Sequence, residues 1–249
     1  MSKPPLTIEQ VRAEIDRVDK TLLGLIAERL ELAGAVRRAK SGARVWRPSR
    51  EESHVRELAD ATEDTPAELV SRIWAELMSA SLALQGPMKL HIALEGDVLE
   101  VWTLVRDRFG AAIPAVSYPT ASSALAAAYS DDEGVAVLPA PGGMNSWWPA
   151  LGAQGAMPDM HILAGLPRTG GETWPRAVAV STADIQPSGC DQTLLICSDY
   201  SNIEGAVLRA EAGDHKLVSL DGYCDTVPAE AKVIGVLPNP MGIDMAKKS

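Results

Sequence analysis

The sequence has few aromatic residues and no long apolar run, and both shortages narrow the class of protein. It contains one Phe and four Tyr against six Trp, while 46% of its 249 residues are hydrophobic, so a core can still form. No apolar run reaches the roughly 20 residues that span a bilayer, and the first ten residues contain no signal-peptide core. We therefore expect a cytoplasmic protein with no membrane partner.

Cysteine, histidine and excess positive charge are also scarce. The three cysteines have no CxxC spacing and the four histidines form no ligand cluster, so we expect no metal site. A net charge of −10 argues against nucleic acid as a partner. The stretch from Leu32 to Arg50 is an exception, with six cations and no acid. It indicates either a site for a small anion or the C-terminus of a helix.

The sequence pattern in the first third of the chain predicts three helices. Capping boxes at Thr7–Gln10, Ser49–Glu52 and Thr65–Glu68 predict their starts. Along the first helix, which we expect to end near Lys40, apolar residues recur at alternating steps of four and three. This apolar seam consists of Val11, Ile15, Val18, Leu22, Leu25, Leu32 and Val36. A single chain would leave most of the seam in water, so we expect an intertwined homodimer.

The rest of the chain alternates short apolar runs with helical stretches, a βαβαβ rhythm. The predicted strands are Leu90–Leu94, Ile113–Val116, Val135–Leu138, His161–Leu163, Ala177–Val180, Leu194–Cys197, Leu217–Leu220 and Val233–Val236. The predicted helices lie near Val98–Phe109, Ala121–Tyr129 and Ile203–Glu211. The predicted fold is thus an all-α three-helix domain over residues 1–86, followed by an α/β domain over residues 88–249.

Arg29 stands in the apolar seam where a leucine would fit the pattern. A guanidinium stays charged, so its burial requires an anion, either a structural carboxylate or a bound ligand. Lys40 lies eleven residues later, about 20° away around the helix axis, and both side chains can converge on one ligand. Arg12 lies roughly 100° off that face, and in a two-fold dimer it could enter the partner's pocket.

Seven polar residues complete a pattern that resembles the all-helical chorismate mutases over residues 7–86. The stretch from Glu14 to Lys40 resembles the long first helix of that family. The matching residues, in order, are Arg12, Arg29, Lys40, Arg50, Glu51, Ser81 and Gln85. The resemblance implies that the protein rearranges chorismate to prephenate, a step in aromatic amino acid biosynthesis.

The same resemblance implies a role for each residue. Arg29, together with Arg12 of the partner subunit, would hold the two carboxylates, and Arg50 would frame that anionic end. Lys40 and Gln85 would donate hydrogen bonds to the ether oxygen.

The remaining two residues complete the implied site. Glu51 would accept from the ring hydroxyl, and Ser81 would support a carboxylate contact. A rearrangement of this kind needs positioning and preorganised donors rather than a nucleophile, metal or cofactor. We therefore expect no cofactor.

Two departures from the family pattern leave alternatives open. Arg47 stands where the family commonly has an aspartate, and the stretch from Lys40 to Arg50 is about two residues short. An isochorismate-pyruvate lyase on the same scaffold and a non-catalytic sensor of chorismate-pathway metabolites are the other hypotheses.

The α/β domain resembles a prephenate dehydratase domain at Thr120–Pro141, but its motifs differ. Gly96–Leu99 replaces a Gly-Thr-Phe-Ser-like loop, and Ala140–Gly143 replaces a Glu-Asn-Ser turn. We expect no dehydratase activity and a regulatory or structural role. Trp147 and Trp148 could line a pocket for an aromatic amino acid, although core packing is the favoured interpretation.

Overall fold

The computed structural model describes residues 6–39, 44–170, 172 and 174–242. The chain divides into two compact units, Met1–Ala43 and Arg44–Ser249. The first contains helix α1, Ile8–Ala39. The second contains α2 (Pro48–Asp60), α3 (Ala67–Gln85) and a large mixed sheet with its helices. No described helix is both long enough and apolar enough to cross a membrane.

Helix α1 is continuous over 32 residues and about 48 Å long. It begins at the predicted capping box, where Thr7 N donates to Gln10 Oε1 at 2.9 Å and Gln10 N donates to Thr7 Oγ1 at 3.3 Å. All seven residues of the apolar seam are exposed in the single chain, by 42–61%. The long amphipathic helix is therefore confirmed, while the homodimer stays a prediction.

The capping boxes predicted for α2 and α3 are wrong. The N-cap residues are Arg47 and Pro66, and neither makes a side-chain capping hydrogen bond. Pro48 occupies the first turn of α2 and its fixed φ suits that position, so Ser49 already lies inside the helix.

The second unit is built on nine strands in the order β2-β1-β3-β5-β4-β9-β6-β8-β7. The strands are β1 Lys89–Ile92, β2 Ala115–Ser117, β3 Gly134–Pro139, β4 His161–Leu166, β5 Ala177–Ser181, β6 Asp191–Cys197, β7 Val207–Ala212, β8 His215–Asp221 and β9 Lys232–Pro238. Strands β2, β1 and β3 pair in parallel, with α4 (Val98–Phe109) and α5 (Ala121–Tyr129) as crossovers. The predicted βαβαβ rhythm is confirmed.

The helix predicted over Ile203–Glu211 is wrong, because Val207–Ala212 forms strand β7. Leu208 pairs with Val218 of β8 in an antiparallel hairpin that turns at Gly213. The left-handed φ of 73° at Gly205 interrupts any helix through this segment, and pairing with β8 decides the local structure.

The core lies on both faces of the sheet. Ala136 and Leu138 of β3 belong to one buried cluster, and Val135 and Val137 belong to another, as expected for alternating side chains. Trp148 is fully buried in the first cluster and is the first residue of a 3-10 helix, Trp148–Leu151. Trp147 is also buried and donates from Nε1 to Pro139 O at 2.9 Å. Both tryptophans therefore pack in the core.

The predicted domain boundary at residues 86–88 lies between the end of α3 and the start of β1. Helices α2 and α3 nevertheless belong to the same compact unit as the sheet. Met241, next to the end of β9, packs with Val55 of α2 and Val70 of α3 in a small apolar cluster. The boundary stays a prediction.

Candidate active site

Two of the predicted site residues lie on α1. Arg29 is half-buried between the exposed Leu25 and Leu32. Burial lowers its pKa from the ordinary value, but a guanidinium starts so high that it remains charged. Arg12 is exposed and lies about 26 Å along the helix from Arg29. Lys40 lies outside the described residues.

The other four predicted residues lie on α2 and α3 in the second unit. Arg50 is exposed, whereas the side chain of Glu51 is 9% exposed, and both residues lie in the first turn of α2. On α3, Ser81 is buried and donates to Leu77 O at 2.7 Å, one turn back. Gln85 is half-buried one turn later on the same face.

Glu51 lies in a cluster of four buried charges that the sequence did not predict. We call Glu51, Glu52, Arg108 and Arg168 the Arg–Glu cluster. Glu51 Oε1 accepts hydrogen bonds from Arg108 Nη1 and Arg168 Nη2, and its Oε2 accepts from Trp46 Nε1 at 3.3 Å. Glu52 Oε1 lies 2.7 Å from Arg108 Nη2 and accepts from Arg168 Nε at 3.1 Å. All four side chains are at most 9% exposed.

Within the cluster, two carboxylates face two guanidiniums, and the charge of Arg56 also acts on Glu52. Burial alone would raise the pKa of Glu52, but the charges of Arg168 and Arg108 outweigh it and the pKa is lowered. Burial alone would lower the pKa of Arg168, but Glu52 and Glu51 outweigh it and the pKa is raised. The charged forms of Glu52 and Arg168 are therefore the stable ones.

The hydrogen bonding of the cluster is incomplete. Within the described part of the chain, Nε and Nη2 of Arg108 have no hydrogen-bond partner, since the contact of Nη2 with Glu52 is an ion pair without hydrogen-bond geometry. The guanidinium of Arg168 also donates to Ser71 Oγ at 3.4 Å, which links it to α3.

Three elements bring the cluster together. The glutamates lie in the first turns of α2, where negative charge is favoured by the helix dipole, and Arg108 lies in the last turn of α4, where positive charge is favoured. Arg168 follows β4, and its backbone oxygen accepts from Met241 N at 2.9 Å. The two arginine partners of Glu51 are 57 and 117 residues away in sequence, so no local pattern could have revealed them.

A separate cavity of about 220 Å³ lies at the carboxyl ends of the parallel strands β1 and β3. Its lining residues are Leu94, Glu95, Val101, Leu104, Pro139, Asn145, Arg176 and Ala177. Beside it, Asp97 Oδ1 caps α4 by accepting from Leu99 N at 2.9 Å and Glu100 N at 3.3 Å. In the described ranges, no three His, Cys, Asp or Glu side chains are grouped so that they could hold a metal ion.

Comparison with known proteins identifies the helical part of the chain. Residues 11–86 match the family model described as chorismate mutase type II. The bifunctional chorismate mutase/prephenate dehydratase of Neisseria gonorrhoeae (strain ATCC 700825 / FA 1090) is 31% identical over 111 residues. That match covers 44% of this chain and 30% of the relative, so the chain spans less than a third of the relative's length.

A solved structure described as "GqqA- a novel type of quorum quenching acylases" is also similar. It covers 61% of this chain and 96% of its own, with 13% identity and a TM-score of 0.40. A likeness of this size carries no inference about function.

Fold and comparisons together define a two-part protein, a helical N-terminal region followed by a large mixed-sheet α/β region. The N-terminal part, residues 11–86, belongs to the chorismate mutase type II family and is fused to a further domain.

Proposed function

We propose that this chain is a chorismate mutase that converts chorismate to prephenate without a cofactor. The observation that carries the proposal is the family match over residues 11–86, a range that contains all seven predicted site residues. In the proposed site, Arg12, Arg29 and Arg50 bind the carboxylates. Lys40 and Gln85 stabilise the negative charge that grows on the ether oxygen. Glu51 accepts from the ring hydroxyl, with Ser81 supporting a carboxylate contact.

The proposed chemistry asks little of the protein beyond position and charge. A substrate held in a compact conformer reacts faster, because its conformational entropy is already lost on binding and no longer adds to the activation barrier. Donors that are already oriented at the ether oxygen stabilise the transition state further. Enzymes at the low end of rate enhancement need about 8 kcal/mol from such effects. Arg29 supports this proposal, since burial has not removed its charge.

We also propose that the active form is a homodimer, with Arg12 entering the site of the partner subunit. Exposed Arg12 and the exposed apolar seam support this arrangement, because two long helices packed together would remove the seam from water. For the α/β domain we propose a regulatory or structural role, and for the protein a cytoplasmic location.

Prephenate formation by the whole protein, with Arg29→Ala as the variant, tests the proposal. We expect kcat/KM to fall about a hundredfold, the usual effect of removing one charged contact to the reacting molecule. Arg17→Ala is the matched control, because Arg17 is an exposed arginine of the same helix that pairs with Glu14 at 2.8 Å. Equal rates for Arg29→Ala and the parent protein would remove the site assignment.

A non-catalytic sensor is the second candidate, and Arg47 favours it. Arg47 is the N-cap residue of α2 and makes no side-chain capping hydrogen bond, and it stands where the family commonly has an aspartate. A sensor would bind chorismate without forming prephenate. Calorimetric titration with chorismate beside the activity assay separates the two candidates, and release of pyruvate from isochorismate would indicate a lyase.

A further inference from the structure

We propose that Arg108 and Arg168, both from the predicted α/β domain, are positioning residues of the mutase site. They fix the carboxylate of Glu51 so that one acceptor position faces the ring hydroxyl of chorismate. The inference rests on the proposed function, and it gives the α/β domain a part in that function.

The acceptor count of Glu51 supports this role. An ionised carboxylate offers about four acceptor positions, two on each oxygen. Among the described contacts, Arg108 and Arg168 occupy both positions on Oε1, and Trp46 occupies one on Oε2 at 3.3 Å. One position on Oε2 is left, and a single hydroxyl donor needs one.

Charge balance explains why the cluster contains a second glutamate. If Glu51 alone faced two guanidiniums, their charge would compete strongly with a neutral hydroxyl for its oxygens. Glu52 Oε1 lies 2.7 Å from Arg108 Nη2 and 3.1 Å from Arg168 Nε, so it neutralises one of the two positive charges. The pair of arginines can then orient Glu51 while Glu52 balances the additional positive charge.

Burial and several contacts also hold the cluster, and with it the carboxylate of Glu51, in one orientation. The two arginine side chains are at most 2% exposed and the two glutamate side chains at most 9%. Arg108 is fixed by α4 and its guanidinium lies 5.1 Å from the ring centre of Phe109. Arg168 is fixed by its contacts to α2 and α3. A group held on several sides loses little further freedom when a ligand binds.

Arg168→Lys in the full chain tests the inference, because lysine keeps the charge but lacks the planar fork that reaches both glutamates. Binding is measured by calorimetry with chorismate and with an analogue that lacks the ring hydroxyl. We expect affinity for chorismate to fall about tenfold, while affinity for the analogue is unchanged, since the lost contact is the one the analogue cannot make.

Trp46→Phe provides a second variant for the case in which Arg168→Lys does not fold. It removes only the hydrogen bond to Oε2 and keeps an aromatic ring beside Phe109. We expect a loss of about fivefold for chorismate and none for the analogue. Arg176→Lys is the matched control, because its guanidinium pairs with Glu100 at 3.5 Å and is 60% exposed. It should change neither affinity.

The outcomes distinguish this inference from the proposed function. If the variants lost affinity for chorismate and for the analogue equally, the cluster would be purely structural and the inference would be overturned. No binding of chorismate by the parent protein would overturn it as well. Hydroxyl-dependent binding without prephenate formation would support the inference and overturn only the proposed catalytic activity.

Discussion

Glu51 and Glu52 are adjacent in sequence and face the same two arginines, yet their surroundings differ. Glu51 also contacts Trp46, whereas the described contacts of Glu52 are with charged groups. Glu52 is 3% exposed as a residue. A carboxylate in such a place is stable only because the guanidiniums compensate its burial.

Glu52→Gln should therefore destabilise the protein by about 3 kcal/mol, because it leaves two buried guanidiniums facing one carboxylate. Urea unfolding followed by circular dichroism at pH 7 measures the change. Glu100→Gln is the control, since Glu100 pairs with Arg176 on the surface and exposed pairs contribute little. Equal losses in the free energy of unfolding for the two substitutions would contradict the interpretation that Glu52 is a buried charge compensated by the guanidiniums.

The difference in the free energy of unfolding between the parent protein and Glu52→Gln should depend on pH. The pKa of Glu52 is lower in the folded protein than in the unfolded chain, where it is about 4.3. Its ionisation therefore stabilises the fold above about pH 4.3, and this contribution is lost as pH falls through the folded pKa. Unfolding measured at several pH values between about 7 and 3 should show the difference shrinking towards low pH. A constant difference would argue against the lowered pKa.

At the scale of single residues, the sequence predicted which side chains were unusual but not all of their partners. Arg29 stands out because it interrupts an apolar repeat, and it is half-buried in the structure, but its role in the site stays a prediction. Glu51 stands out only through the family resemblance. Arg108 and Arg168 have no such signal, since their contacts depend on how α4 and β4 pack against α2.

The elements were predicted well where a repeat spans many residues. The apolar seam fixes α1, and alternating or continuous apolar runs fix the buried strands β3 and β5. Helix starts were less reliable, because Pro48 competes with the capping residue Ser49. Strand β7 was read as a helix because its pattern is short and its pairing with β8 is tertiary.

The exposed apolar seam of α1 leads to a prediction about dimer formation. Leu22→Glu should convert the proposed homodimer to a monomer, because a buried carboxylate in the helix contact would lack a partner. Light scattering after size-exclusion chromatography measures the mass.

Leu23→Glu is the matched control for this experiment. Leu23 is 68% exposed and lies one residue from the seam, about 100° around the helix. It should leave the mass at the dimer value. A monomeric parent protein, or equal effects of the two substitutions, would contradict pairing through the seam.

At the scale of the whole molecule, the question is what the α/β part contributes. The Arg–Glu cluster joins α2 of the family domain to α4 and to the end of β4. Helix α3 makes further contacts, with Arg106 Nη2 3.4 Å from Glu76 Oε1 and Arg72 Nη2 3.2 Å from Asp107 Oδ2. A sheet region that contacts α2 and α3 in this way can set the geometry of these two helices without any catalysis of its own.

We accordingly predict that the full chain, given prephenate, forms no phenylpyruvate. The loop at the cavity beside β1 has Asp97 committed to capping α4, and the next two side chains, Val98 and Leu99, are apolar and exposed. Elimination of water and carbon dioxide needs a proton donor held at the leaving hydroxyl. The loop offers two apolar side chains and an Asp97 that already accepts from backbone N–H groups, while Glu95 in the cavity lining is exposed to solvent. Phenylpyruvate absorbance in alkali measures the product, with the acid-catalysed reaction of free prephenate as the standard. The prediction is contradicted if phenylpyruvate forms faster than in buffer and if Arg176→Ala, in the cavity lining, abolishes that formation. The α/β domain would then have dehydratase activity.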